Sequence, residues 1–306
     1  MTNDRRLIAK SSIAAEVLLQ NHEGKTSATA QQLGYPAGAR LLIINADDFG
    51  MCHAVNTAIM RALLEGAVRS TTLMVPCPWA AQAMQFLAAH PEIPFGVHLT
   101  AVSDPAVYRW GPVVSSDKVP TLVDRAGHFH DFDAVHAVLG QVRLEELEME
   151  FRAQIEATFR AGLKPTHLDW HALRFGRRTD IFDLMARLAR EYGLALRVIG
   201  RKAIARLQGQ GLPTIDDDFL DSYNLDPDAK PALYAGLLRA LPPGLSEWAL
   251  HPGFDNAELR AIDPTGSRSR QADFDFFTSR QAQEIIEEEG IYLVDYRALQ
   301  PAWRQP

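Results

Sequence analysis

The sequence predicts an α/β chain built as a (β/α) barrel or a variant of one, a single domain behind an N-terminal helical extension. Three observations predict it. Short, continuously apolar runs of the kind that make strands covered on both faces recur along the chain. They alternate with longer segments whose apolar residues return at helical spacing, giving about seven βα units. The length, 306 residues, suits one such barrel as a single domain.

Residues 1–38 read as the polar helical extension, with Ser11 to Gln20 a short amphipathic helix and Gly34-Tyr35-Pro36-Ala37-Gly38 as the stop. The domain proper takes residues 39–306. Leu41 to Ala46 is an apolar run that predicts a strand, and Asn45 to Gly50 sits at its C-terminal end. From Val55 the positions Ile59, Met60, Leu63 and Leu64 predict a helix ending at Gly66. Ser70 to Val75, Trp79 to Ala89 and Phe95 to Thr100 continue as strand, helix and strand. Residues 101–140, with Pro105, Gly111, Pro112, Pro120 and Gly127, show little periodicity and are expected to form a substrate-facing loop region.

Leu147, Phe151, Ile155 and Phe159 then mark one face of a helix stopped by Gly162, leading to a strand at Thr166 to Trp170. A helix from Thr179 to Gly193 feeds a strand at Ala195 to Ile199. After a mixed segment come a helix at Ala232 to Leu241 and a strand at Glu247 to His251. A Thr278-x-x-Gln281 capping box is expected to open the last helix, which runs to Gly290 before the strand Ile291 to Asp295.

A formal net charge of −7, with no cluster of Lys and Arg among aromatics, argues against nucleic acid as a partner. Hydrophobic content of 47% with 23% charged residues is that of a globular chain with a sizeable core. The two cysteines, Cys52 and Cys77, match no zinc or redox spacing and fit buried thiols in a reducing compartment. With no signal-like segment and no uninterrupted apolar run of about 20 residues, the expectation is a cytoplasmic protein without a membrane partner.

The chemistry collects at the C-terminal ends of four predicted strands, where barrel enzymes assemble their sites. Asn45-Ala46-Asp47-Asp48-Phe49-Gly50, Gly96-Val97-His98-Leu99-Thr100, Thr166-His167-Leu168-Asp169-Trp170-His171 and Ala249-Leu250-His251-Pro252-Gly253 together supply three Asp and four His. Two adjacent buried carboxylates would repel if both were ionised, so either a cation sits beside them or one is strongly perturbed. An ideal strand points them to opposite faces, although a turn at Asp48-Phe49-Gly50 could aim both inward. The plainer alternative is that Asp47 or Asp48 caps the following helix. His167, Asp169 and His171 alternate, so a regular strand would point all three to one side and place a carboxylate beside a ligating imidazole. A mixed Asp/His set suits a divalent ion with an open coordination position, Mg or Zn, in a hydrolase.

These segments resemble the YdjC-like family of carbohydrate deacetylases, which includes chitooligosaccharide and diacetylchitobiose deacetylases. The resemblance runs from about Leu41 to Tyr296 through Asn45 to Gly50, the strand Ser70-Thr71-Thr72, Gly96 to Thr100, Pro165 to His171, and His251-Pro252. It implies a distorted, TIM-barrel-like (β/α) barrel, one divalent metal ion, and removal of an N-acetyl group from an N-acetylated mono- or oligosaccharide with release of acetate. It further implies Asp48, His98 and His171 as metal ligands, Asp47 as general base and His251 as general acid. Asp169 and His167 then stand behind the ligands. Ala172 and Leu173, which follow His171, depart from the further histidines of many relatives. Arg197 is a candidate to orient Asp47 or to contact substrate, and Tyr108, Trp110 and Phe129 to stack on a sugar, with His128 and His130 near the mouth. A homodimer is compatible with the resemblance. Alternatives left open are a metal-dependent O-acetyl esterase or phosphoesterase, and a sugar-binding protein without turnover, against which the presence of both Asp47 and His251 argues.

Overall fold

The computed structural model describes residues 27–103, 107–132, 134, 139–172, 178–216 and 219–304. The expected helix Ser11 to Gln20 and Leu173 lie outside them. The strands are β1 (Arg40–Phe49), β2 (Ser70–Leu73), β3 (Phe95–Leu99), β4 (His167–Trp170), β5 (Ala195–Leu196), β6 (Phe219–Asp221), β7 (Gly244–Leu250) and β8 (Tyr292–Val294). The pairings are parallel, in the order β5-β4-β3-β2-β1-β7-β6. β8 pairs with the start of β1, at Leu41 to Ile43, while β2 joins further along, from Asn45 to Phe49. No pairing among the described residues joins β5 to β6, so the sheet is a curled, open barrel rather than a closed one.

The helices are α1 (Ala28–Gln32), α2 (His53–Glu65), α3 (Ala80–Ala89), α4 (Leu144–Arg160), α5 (Thr179–Tyr192), α6 (Arg201–Gln208), α7 (Lys230–Arg239), α8 (Ala257–Ile262), α9 (Ser267–Phe277), α10 (Arg280–Glu288) and α11 (Gln300–Trp303). Helices cover the sheet, which explains why β1 is buried from Leu41 to Phe49 and reads as an apolar run. α1 lies against the barrel: Ser27 caps it and donates to Asp216 at 2.6 Å, and Gln32 reaches the Gly211 carbonyl at 2.9 Å. Among the described residues no helix is long and apolar enough to cross a membrane.

Among the described residues the expected elements are present with shifted ends, and five were not foreseen: α6, β6, α8, α9 and α11. β6 is three residues long, with one of them buried, too short to carry a pattern. α8 and α9 follow His251. The inward face of α9 mixes Ser267, Ser269, Arg270 and Asp273 with Phe274, Phe276 and Phe277, so apolar spacing does not reveal it. The strand expected over Ala195 to Ile199 ends at Leu196. The cap of the last long helix is Ser279, which accepts from the Ala282 amide, whereas Thr278 ends α9 and donates to the Phe274 carbonyl.

The irregular stretch after β3 is tied to one face of α4. Glu150 accepts from the amides of Val113 and Val114 at 2.9 and 3.1 Å, Glu146 from Thr121, and Gln154 exchanges two hydrogen bonds with the Thr100 backbone. Residues spaced by one turn thus act as rungs that hold the loop against the barrel mouth.

Candidate active site

A bulge in β1 lets adjacent aspartates face the same site. Ala46 pairs with Thr71 and Phe49 with Leu73, so β1 spends one residue more than β2 across this step. Asp48 takes the extra turn in the left-handed region at φ 71°, and Gly50 follows at φ 103°. Asp is among the few residues that tolerate this conformation. Strict alternation would have sent the two carboxylates to opposite faces. Neither aspartate caps α2, whose N-cap is Cys52.

Asp48, His98 and His171 come together from β1, β3 and the end of β4. Asp48 Oδ1 lies 3.1 Å from His171 Nδ1 and 3.4 Å from His98 Nε2, and all three residues are buried. The other oxygen of Asp48 accepts from Arg270 at 2.8 Å, which leaves Oδ1 for the two rings. Burial alone would raise the Asp48 carboxyl, but Arg270 and both histidines outweigh it and hold it well below the usual range. His98 Nδ1 bonds Asp169 Oδ1 at 2.7 Å, which orients its ring from behind. Burial disfavours a charged ring at His98, yet Asp169, Asp48 and Asp47 together push it up to about 10. A site that stabilises a proton between a carboxylate and an imidazole nitrogen suits a cation in the same place. The three ligand atoms lie within 4.8 Å of one another, and the set of two imidazoles and one carboxylate fits a divalent ion. Asp47, His98 and Asp169 form a second such group, but both of its carboxylates are already paired with Arg197.

Arg197 is the hub beside this cluster. It forks onto Asp47 at 2.6 and 2.8 Å, meets Asp169 Oδ2 at 2.7 Å, and donates through Nε to Glu247 at 2.8 Å. Tyr296 closes the far side by donating to Glu247. Burial pushes Asp47 up, but Arg197 outweighs it and keeps the carboxyl strongly depressed, hence ionised. Asn45 also donates to Asp47, at 2.7 Å. His167 does not stand behind a ligand as the alternation suggested. It stacks on Tyr296 with ring centroids 3.7 Å apart, and a Cβ at Gly96 would lie 2.6 Å from its ring. Burial and Arg197 hold His167 well below the ordinary imidazole range, so it is a neutral part of the barrel filling.

His251 follows β7 and is half-buried, its Nδ1 lying 3.2 Å from Ser222 Oγ. Tyr223 packs edge-on against it at 5.4 Å. Trp110 is 3% exposed, donates to the Val102 carbonyl at 3.0 Å and packs edge-on to His171 at 6.0 Å. It is a wall of the cluster with no face open to a sugar, and Phe129 is wholly buried. Tyr108 is half-buried and donates to the Met51 carbonyl at 2.8 Å, which pins the loop to the end of β1. His128 and His130 are half-buried in the same loop region.

Fold and donor set together define a class: an open α/β barrel with an Asp/His cluster suited to a divalent cation at the carboxyl ends of its strands. The family model of YdjC-like protein matches residues 41–288, and the chain belongs to the YdjC-like family. It is 32% identical over 265 residues to a carbohydrate deacetylase of Enterococcus faecalis, covering 84% of this chain and 97% of that one. A carbohydrate deacetylase of Thermoanaerobacter pseudethanolicus is 28% identical over 267 residues, with 85% and 99% covered. A crystal structure from Enterococcus faecalis V583, described as that of a candidate cellobiose-phosphate cleavage protein, superposes with a TM-score of 0.75 at 31% identity over 85% of this chain and 99% of that chain.

Proposed function

We propose that this chain is a metal-dependent carbohydrate deacetylase that hydrolyses the N-acetyl group of an N-acetylated mono- or oligosaccharide and releases acetate. The observation that carries the reading is the pairing of two units at one barrel mouth: the Asp48, His98 and His171 cluster, and beside it an ionised Asp47 held in the fork of Arg197. The carbohydrate deacetylases among its relatives support the same reaction class.

Asp48, His98 and His171 would hold the cation, and two imidazoles favour zinc or a similar borderline ion over magnesium. When bound, the cation polarises an acyl carbonyl and acidifies a water, which matches a base made as weak as Asp47 is by Arg197. Asp47 takes the proton of the attacking water, with Arg197 fixing its direction. His251 gives a proton to the departing sugar nitrogen, without which an amine anion would have to leave. Trp110 keeps bulk water from one side of His171.

The test is acetate release from a panel of short N-acetylated sugars against O-acetylated sugars and sugar phosphates. Acetate from the N-acetylated set supports the reading. Release from O-acetyl esters alone, or cleavage of a cellobiose phosphate as the description of the Enterococcus faecalis structure suggests for that protein, would replace it.

A further inference from the structure

We propose that Ser222 and Asp273 are positioning residues for His251, fixing its imidazole in the form that carries hydrogen on Nδ1 so that proton exchange occurs at Nε2. This rests on reading His251 as the proton donor. A count of hydrogens carries it. Asp273 is fully buried on α9 and accepts four hydrogen bonds. Lys230 Nζ and Tyr234 OH donate to Oδ1 at 2.6 and 2.5 Å, while Ser222 Oγ and the His251 backbone amide donate to Oδ2 at 2.5 and 2.9 Å. A carboxylate has about four lone-pair positions, so this one is filled and its ionised form is the one the site satisfies.

Ser222 has a single proton, committed to Asp273 over the short, charge-assisted distance. Turning it towards His251 would trade that bond for a longer, neutral one at 3.2 Å. Ser222 therefore meets Nδ1 as an acceptor, and Nδ1 must carry hydrogen whether the ring is neutral or charged. Asp221, 3.9 Å from Nδ1, is beyond hydrogen-bond reach and favours hydrogen at the same nitrogen. The other groups facing the ring are the edge of Tyr223 and, across the site, Asp47. In turnover the charged ring breaks its Nε2–H bond, a new N–H bond forms on the leaving sugar nitrogen, and the ring returns to the neutral form with hydrogen on Nδ1. Ser222 stabilises that neutral form, so donation is directed to one atom. Lys230 and Tyr234 anchor the far oxygen and stop Asp273 from rotating.

Histidine-selective ¹⁵N NMR of the wild-type protein reads the outcome directly. At a pH where His251 is neutral, the expected spectrum has hydrogen on Nδ1 and none on Nε2. Ser222→Ala is expected to move the population towards hydrogen on Nε2 and to lower kcat about 10- to 100-fold, less than the 10²- to 10⁴-fold that general acid catalysis supplies in full, with little change in KM. A wild-type ring with hydrogen on Nε2, or a Ser222→Ala ring that keeps the wild-type form, overturns the proposal. A shifted ring with unchanged kcat upholds the positioning and removes His251 from the role of proton donor.

Discussion

Replacing Arg197 by Lys tests whether the guanidinium fork, rather than a positive charge alone, makes Asp47 usable. Arg197 makes four short contacts, two to Asp47 and one each to Asp169 and Glu247, with almost no exposure. A lysine keeps the charge but offers one nitrogen at the end of a different stem, so it cannot span three carboxylates. Losing one to two hydrogen bonds to charged groups, at about 1.5–3 kcal/mol each, gives a cost of roughly 1.5–6 kcal/mol. For a chain of this size that lowers Tm by roughly 2–9 °C. The chemistry should suffer separately. With the fork gone, burial is less opposed and the Asp47 carboxyl rises from its depressed position. Because the proposed base, Asp47, works ionised, the acid limb of kcat/KM should move to higher pH in Arg197→Lys, and kcat at neutral pH should fall about 10- to 100-fold. Calorimetry and a pH–rate profile measure the two effects. A variant with wild-type Tm and an unmoved acid limb would refute the reasoning, because neither effect could then pass through Arg197.

Further expectations concern other parts of the same design. Gly96→Ala should destabilise the fold by about 1–3 kcal/mol, measured by denaturant titration, because a Cβ there meets the His167 ring at 2.6 Å and the stack on Tyr296 blocks retreat. Glu150→Ala should leave the amides of Val113 and Val114 without their acceptor at a cost of roughly 2–4 kcal/mol and speed proteolytic cutting within residues 111–122. Lys230→Met should cost about 3–5 kcal/mol at neutral pH by stranding Asp273. The sign of its pH dependence follows from Asp273, whose carboxyl burial would raise but Lys230 and the hydroxyl donors hold below its ordinary value. Its stabilisation is present above the unfolded carboxyl value near 4 and is lost as pH falls through the lower folded value, so denaturation curves of wild type and variant should converge in acid.

The barrel was legible because its strands are covered on both faces and its longer helices keep their apolar spacing. β1 from Leu41 to Ala46 and α5 from Thr179 to a left-handed Gly193 at φ 64° show this directly. Position drew attention to the polar residues at four strand ends, which are rare enough to notice, but it was the family resemblance that singled out Asp48, His98 and His171 among them. A turn at Asp48-Phe49-Gly50 that aims both carboxylates inward is compatible with the sequence but not dictated by it, because it depends on a left-handed backbone at Asp48 and a register shift against β2. Arg270 and Asp273 escaped for a different reason. They lie on the inward face of α9, where charged and hydroxyl side chains are buried by pairing with Asp48, Lys230 and Ser222 rather than by their own hydrophobicity. Glu247 was inside a predicted strand, but only Arg197 and Tyr296 give it a role. The aromatic character of Trp110 suggested sugar stacking, and burial against His171 shows it to be a wall.

The most direct test of the whole account is acetate release from an N-acetylated oligosaccharide by protein stripped with a chelator, then resupplied with zinc or magnesium, with Asp48→Asn run alongside. The account predicts no acetate from the stripped protein, recovery with added divalent ion, and neither bound ion nor acetate for Asp48→Asn. Full acetate release by stripped wild-type protein, or by Asp48→Asn without bound metal, would contradict it.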